Sequence, residues 1–431
     1  MKPCITLRAK INFHLVTFIA LAHSPAVLAQ EVRVQMNSLL PPFKAIQPYI
    51  ASEELFLDEG KSEDISEIIQ GLRKSFHKIE TLPTKYHNLP GFDENTKSVA
   101  ELLDDASRRF SEGKKSYAWW RLRKLPSDCF TCHATYKVDS RYSNPGVIDE
   151  SLDPLNKARF LLATRQFAAA ESEFLQVLKD PEYRLYYDEA LRSILMITTR
   201  ISRDPAEGAK ILGSIADSAK LPEDDARAAK AWASELNAWS KDKRAVAQNR
   251  LAEAERLIKI GLSESPDTNQ NDVALLRGTA LLHKELEDGK LNKTDRARAL
   301  YLLGFAYTKL PLFFSESWAE MYLERCISEF PGTKTAKQAY AVYRGQIVDD
   351  YTGTAGTEIP DEIKLHLEEL RKKAHGEGNF TPVVKEGRQN PSRLRKRILS
   401  RSSIFEMGKN PQCITGDTLP TFAKATAGEI M

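Results

Sequence analysis

Leu125-Pro126-Ser127-Asp128-Cys129-Phe130-Thr131-Cys132-His133-Ala134-Thr135-Tyr136-Lys137 holds two cysteines three positions apart, with a histidine directly after the second. Residues i and i+3 share one side of a helical turn. Both thiols can therefore reach one planar ligand while the next residue turns its imidazole beneath it. This is the C-x-x-C-H spacing of covalent haem attachment, with Cys129 and Cys132 as thioether donors and His133 as proximal iron ligand. The competing uses of C-x-x-C are a dithiol redox pair and half of a zinc site. Zinc needs two further ligands at short spacing, and Cys4, Cys326 and Cys413 are distant and lack partners. The pentapeptide occurs once, so a single haem c is expected and a multihaem wire is excluded.

Upstream, Lys2, Arg8 and Lys10 precede an apolar stretch from Ile11 to Ala22, and Val27-Leu28-Ala29 presents small residues before Gln30. That order predicts an export signal over 1–29, cleaved after Ala29. The stretch is interrupted by Asn12 and His14 and falls short of the roughly twenty apolar residues that a membrane span needs. Covalent haem of this kind is assembled outside the bacterial cytoplasmic membrane, so a periplasmic location is expected. The formal net charge of the whole chain is +3, and loss of the three signal cations leaves the mature chain near neutral. Neutrality argues against nucleic acid or an anionic membrane as a main partner. A length of 431 residues suits two or three domains, and a hydrophobic content of 42% supplies ample core.

From 30 to 145 the apolar residues recur at helical spacing. Met36, Leu39, Phe43, Ile46 and Ile50 form one stripe. Ile65, Ile68, Ile69, Leu72, Phe76 and Ile79 form a second, opening after Ser62-Glu63-Asp64, and Val99, Leu102, Leu103, Ala106 and Phe110 form a third. Tyr117 to Tyr136 forms a fourth, broken in part at Pro126, and carries the cysteines. Met36 is the only methionine between the signal and the motif and is the leading candidate for a distal iron ligand. Against this, a methionine at helical spacing is an ordinary core filler, and Pro41-Pro42 could start a helix and leave Met36 on an extended lead. His77, beside Phe76, and His87, in a loop bounded by Pro83 and Pro90, are the alternatives. Trp119 and Trp120 would serve either the porphyrin edge or the ordinary core.

This segment resembles the class II cytochromes c, the cytochrome c-prime and cytochrome c556 group. Cys129, Cys132, His133, Tyr136 and Lys137 fit that group's C-x-x-C-H-x-x-aromatic-basic ending, and the likeness spans about a quarter of the chain. The resemblance implies a four-helix bundle with its haem near the C-terminal end. It also implies two branches: a first-helix methionine closes the sixth iron position in c556, whereas c-prime leaves it open to small gases. Class I cytochromes draw a methionine from a downstream loop, but Met196 lies in Leu191-Arg192-Ser193-Ile194-Leu195-Met196, which reads as continuous helix.

From Ser151 the texture becomes alanine-rich, after a boundary marked by Asp139 to Pro145 and by Asp153-Pro154. Ala158, Leu161, Ala170, Phe174 and Val177 are followed by Pro181. Leu303, Gly304, Tyr307, Ala319, Leu323, Cys326 and Pro331 repeat that order. Both runs resemble the tetratricopeptide repeat, which implies stacked helical pairs over 151–375, a small buried Cys326 and a concave face suited to a protein partner. Further helices are expected over Arg227 to Trp239 and Ala245 to Leu262, in a register the spacing leaves open. No nucleophile-base-acid set or phosphate loop occurs here, and His283 and His366 are isolated, so an enzyme is not expected. From 376 to 431 few apolar residues recur, a basic cluster gathers at Arg393, Arg395, Lys396, Arg397 and Arg401, and a disordered tail is expected.

The expected molecule is thus all-α: a four-helix-bundle haem domain followed by an α-solenoid of tetratricopeptide-like pairs. Its expected function is one-electron transfer by an exported monohaem cytochrome c, with the repeats docking a redox partner protein and no membrane contact required. The alternatives are a five-coordinate haem module for gas binding or sensing, and a repeat scaffold with a structural haem.

Overall fold

The computed structural model describes residues 25–82, 91–135, 150–217, 221–242, 249–263, 271–310, 313, 317–354 and 356–377. Most of the expected signal, His87, the Asp139 to Pro145 boundary and the tail from 378 lie outside these residues. Among them the chain is all-α, apart from one small antiparallel ladder that pairs Thr352–Gly353 with Gly356–Thr357. No described helix is long and apolar enough to cross a membrane.

The N-terminal helices are α1 (Pro25–Ala51), α2 (Glu53–Leu57), α3 (Ser62–Glu80), α4 (Phe92–Ser111), α5 (Lys115–Leu122) and α6 (Leu125–Thr135). α1 packs on α3, α3 on α4, and α4 on both α5 and α6. The expected stripes form the shared core: Ile46, Ile65, Leu72, Ile79 and Ala106 are fully buried, and Met36 and Ile68 are partly buried at its edge. α3 begins at Ser62, where Glu63 and Asp64 meet the positive end of the helix dipole.

Two local expectations are corrected. Pro41 and Pro42 do not start a helix: α1 runs through them and through Pro48, so Met36 is helical. A proline inside a helix strips a carbonyl four residues earlier of its N–H partner, and for Pro42 that carbonyl belongs to Ser38. Ser75 Oγ on α3 donates to it at 3.3 Å. Gly71 on the same helix makes room, because a Cβ there would stand 3.4 Å from Pro42 Cβ. Ser75→Ala is therefore expected to cost about 1 kcal/mol in urea unfolding; an unchanged midpoint would contradict this role. The break expected at Pro126 falls three residues earlier, at Arg123-Lys124, and a new helix begins at Leu125 so that Pro126 sits in its first turn, where a proline is tolerated.

Beyond the boundary come α7 (Pro154–Ala163), α8 (Phe167–Val177), α9 (Tyr187–Met196), α10 (Pro205–Ala216), α11 (Glu223–Ser240), α12 (Arg250–Gly261), α13 (Asp272–Asp288), α14 (Lys293–Tyr307), α15 (Ser317–Glu329), α16 (Lys334–Asp350) and α17 (Asp361–His375). Asp153 caps α7 by accepting from the Leu155 and Asn156 N–H groups, with Pro154 at its first position. Neighbours in sequence pack as neighbours in space: α7 on α8, α10 on α11, α12 on α13, α14 on α15, then α16 and α17. Small residues sit at the contacts. Ala158, Ala170, Ala319 and Cys326 are buried, and the Cys326 thiol donates to the Ala297 carbonyl at 3.4 Å. Gly304 is the tightest of the positions singled out by spacing, since a Cβ there would lie 2.6 Å from Leu323 Cγ and 3.0 Å from its backbone nitrogen. Gly304→Ala must push α14 from α15, at about 1–3 kcal/mol by thermal or denaturant unfolding; wild-type stability would refute the close approach.

Candidate cofactor site

α6 places Cys129 and Cys132 on one side, as their spacing requires, and His133 directly after them. All three line one pocket that is partly open to solvent. Its walls are apolar. Met36, Leu40 and Phe43 come from α1, Phe76 and Ile79 from α3, and Phe92 and Val99 from α4. The hydroxyls that reach it are already spent on their own helices: Thr96 Oγ1 donates to the Phe92 carbonyl and Thr164 Oγ1 to that of Phe160, each at 2.9 Å.

The fifth wall comes from beyond the boundary that the sequence leads one to expect. Ala163 and Thr164, at the end of α7, line the same cavity, and the Ala163 backbone hydrogen-bonds the His133 imidazole. Stacked Phe43 and Phe160 rings, 5.6 Å between centroids, and an edge contact of Phe130 with Phe167 at 6.3 Å hold α7 and α8 against α1 and α6. The cavity is thus a junction between the two parts of the chain.

Its electrostatics favour neutral donors. Burial pushes the Cys129 thiol well up and the Cys132 thiol up to about 11, the latter eased by a hydrogen bond with the Asn95 side chain. Burial, aided by the charge of Arg165, pushes His133 down to about 4, so its imidazole is neutral at pH 7. Its Nδ1 is buried with no hydrogen-bond partner, the only such atom among the described residues lining the cavity. An orphaned ring nitrogen is a cost unless something else takes its lone pair or proton. A cofactor held here would meet two thiols, the unpartnered Nδ1 of His133 and the Met36 thioether, in a largely apolar pocket partly open to solvent. Among the described residues no three His, Cys, Asp or Glu side chains gather to hold a bare ion.

No family model, curated protein or solved structure matches this chain. The reading of the site therefore rests on its own residues.

Of the candidates picked from sequence, the structure brings Met36, Cys129, Cys132 and His133 together. His77 it does not. Phe76 takes the inward position, and one residue on is about 100° round the helix. His77 Nδ1 instead meets Glu80 at 2.6 Å and Nε2 meets Asp104 at 3.2 Å, and these carboxylates hold it above the usual imidazole range. Trp119 donates from Nε1 to the Ile50 carbonyl at 3.2 Å, and Trp120 is 50% exposed; neither lines the cavity. Sequence reading missed Asn95, Thr96, Ala163, Thr164 and Arg165. No periodic or motif signal singles them out, since each matters only through what folding sets beside it.

Proposed function

We propose that this cavity holds one haem, attached through the sulfurs of Cys129 and Cys132, and that the chain is an exported electron carrier. The observation that carries the reading is the union, in one apolar pocket, of the C-x-x-C-H residues with an orphaned buried His133 nitrogen. When bound, haem supplies reversible one-electron exchange at its iron. His133, neutral at pH 7 and hydrogen-bonded by the Ala163 backbone, would hold the iron through its ring nitrogen. Met36 would offer a thioether as a second ligand, which would favour the reduced state relative to a second imidazole. The thiols, kept protonated by burial, would add across the haem vinyl groups to form thioether bonds rather than cycle as a dithiol pair.

The first hundred or so residues of the mature chain make a class II-like bundle, and the paired helices after it form a tetratricopeptide-like platform for a redox partner protein. In support of that platform, the small residues of the two matching runs all stand at helix contacts. The charged start of the chain supports export to the periplasm. An absorption spectrum, oxidised and reduced, with and without carbon monoxide, tests the haem's role. The proposal expects a low-spin reduced spectrum that ignores the gas in the wild type and responds to it in Met36→Ala. A wild-type spectrum that shifts on adding carbon monoxide would favour gas binding at an open sixth position instead.

A further inference from the structure

Lys114, Lys115, Arg121, Arg123 and Lys124 stand between Gly113 and Asp128 with no acid among them. The chain as a whole is nearly balanced, with 62 lysines and arginines against 59 aspartates and glutamates, so this run is a local excess of positive charge. Part of it is answered within the fold. Lys115 pairs with Glu59 at 2.9 Å, Lys114 with Glu112 at 3.2 Å and Arg121 with Asp105 at 3.4 Å. Arg123 instead lies over the Trp119 ring, 4.7 Å from its centroid, and Lys124 is exposed; neither meets a carboxylate among the described residues.

An exposed indole stands with them. Trp120 is the one exposed Phe, Tyr or Trp among the described residues. Tryptophan and arginine are the side chains most enriched at the centre of protein interfaces, where an indole regains the burial it lacks in water. The turn between α5 and α6 keeps the hydrogen-bonded spiral going: the Lys124 N–H donates to the Arg121 carbonyl at 3.3 Å, and the Asp128 N–H to the Lys124 carbonyl at 3.1 Å. Trp120, Lys124 and Asp128, four residues apart in turn, thus share one side. Asp128 lines the candidate site, so this surface ends at the wall of the pocket.

Resting on the electron-carrier reading for the nature of the partner, we propose that Trp120, Arg123 and Lys124 form a docking surface for a redox partner protein, which sets acidic side chains against the two cations and an apolar recess over the indole. Charge complementarity commits the occupant to an acidic face, and exposed cations speed and orient its approach. Lys124 precedes Cys129 by five residues, a rise of about 8 Å along a helix, so a partner seated here lies close to the attachment site. The surface only holds the partner, in addition to the repeat platform; the electron passes between the haem iron and the partner's own redox centre.

The test measures adsorption of the full-length chain, and its electron-transfer current, on gold coated with a mixed monolayer of carboxylate-ended and methyl-ended alkanethiols. Wild type is expected to adsorb and to be released as salt rises, because contacts between exposed charges are screened. Lys124→Glu and Trp120→Ser change exposed side chains and are expected to keep the wild-type thermal midpoint. Each weakens adsorption about fivefold and lowers the current with it. Lys210→Glu makes the same charge change on α10, where the side chain is 78% exposed, and is expected to adsorb as wild type does. Equal adsorption by Lys124→Glu and Lys210→Glu would overturn the proposal. So would a wild type that ignores the monolayer yet binds phosphatidylglycerol vesicles, which would make the surface a membrane contact. Colourless wild type that adsorbs as expected, with Lys124→Glu weakened and no current, would sink the electron-carrier reading and leave the docking surface standing.

Discussion

Replacing Cys129 and Cys132 together with alanine is expected to give colourless protein with the mass of the bare polypeptide. In the proposed attachment each sulfur makes one of the two covalent links, and without both the only protein bonds to the cofactor would be coordinate ones to iron. Single replacements keep one link and are expected to retain part of the haem absorbance. The double variant should also melt lower, because a group that fills an apolar cavity in the folded state alone stabilises that state by mass action or, when covalent, by restoring lost packing. His133→Ala separates attachment from ligation: haem stays on its thioether links while the low-spin spectrum is lost. Full colour in the double variant would contradict the assignment outright.

The second large effect is a loss of stability as pH rises from about 4 to about 8. Glu235, on α11, reaches the start of α13 and accepts the Asn271 N–H at 2.9 Å and that of Ala274 at 3.4 Å. Burial nevertheless dominates and pushes it up to about 8, with the neighbouring Asp272 adding to the rise. Asp272 is itself pushed up to about 6 by burial, despite a 3.0 Å hydrogen bond from Trp232 Nε1. Both folded values lie above the ordinary ones, so the folded chain holds protons that the unfolded chain has released. Their stabilisation is complete below about pH 4 and is lost as pH climbs through these values. At roughly 1.4 kcal/mol for each pH unit between folded and unfolded values, the pair shifts stability by several kcal/mol. Denaturant midpoints should be higher at pH 5 than at pH 8, and Glu235→Gln should flatten most of that slope. Equal pH slopes for wild type and Glu235→Gln would refute the buried pair.

The legible parts of this chain are those encoded locally. Cys129, Cys132 and His133 meet at one pocket because their spacing puts them together on one helix, and the stripes from Leu39 to Phe110 declare helices because each turn must bury its own apolar side. What escaped reading depends on residues far apart in the chain. Helix α1 survives Pro42 because Ser75 and Gly71, on another helix, answer its missing hydrogen bond and its bulk. Glu235 acts as a surrogate cap for α13 from 36 positions before Asn271, so no capping motif marks it. His77 and Phe76 differ by one position, and only packing decides which of them enters the core. Between α12 and α13 the close approach rests on Gly261, whose Cβ would run into Leu275 Cγ, and on Gly278, whose Cβ would lie 2.8 Å from Ile258 Cγ1, and neither glycine falls in a repeat register that the spacing shows. The cavity itself was half legible: its bundle walls follow from the stripes, whereas Ala163, Thr164 and Arg165 belong to a segment whose own pattern speaks only of helix pairing.

Mass spectrometry of the tryptic peptide Leu125–Lys137, taken from protein purified after export, decides whether haem is covalently attached. The peptide is expected to carry the added mass of one haem and to absorb visible light, with neither thiol open to alkylation. The same peptide at its bare mass, with Cys129 and Cys132 both alkylated, would contradict it.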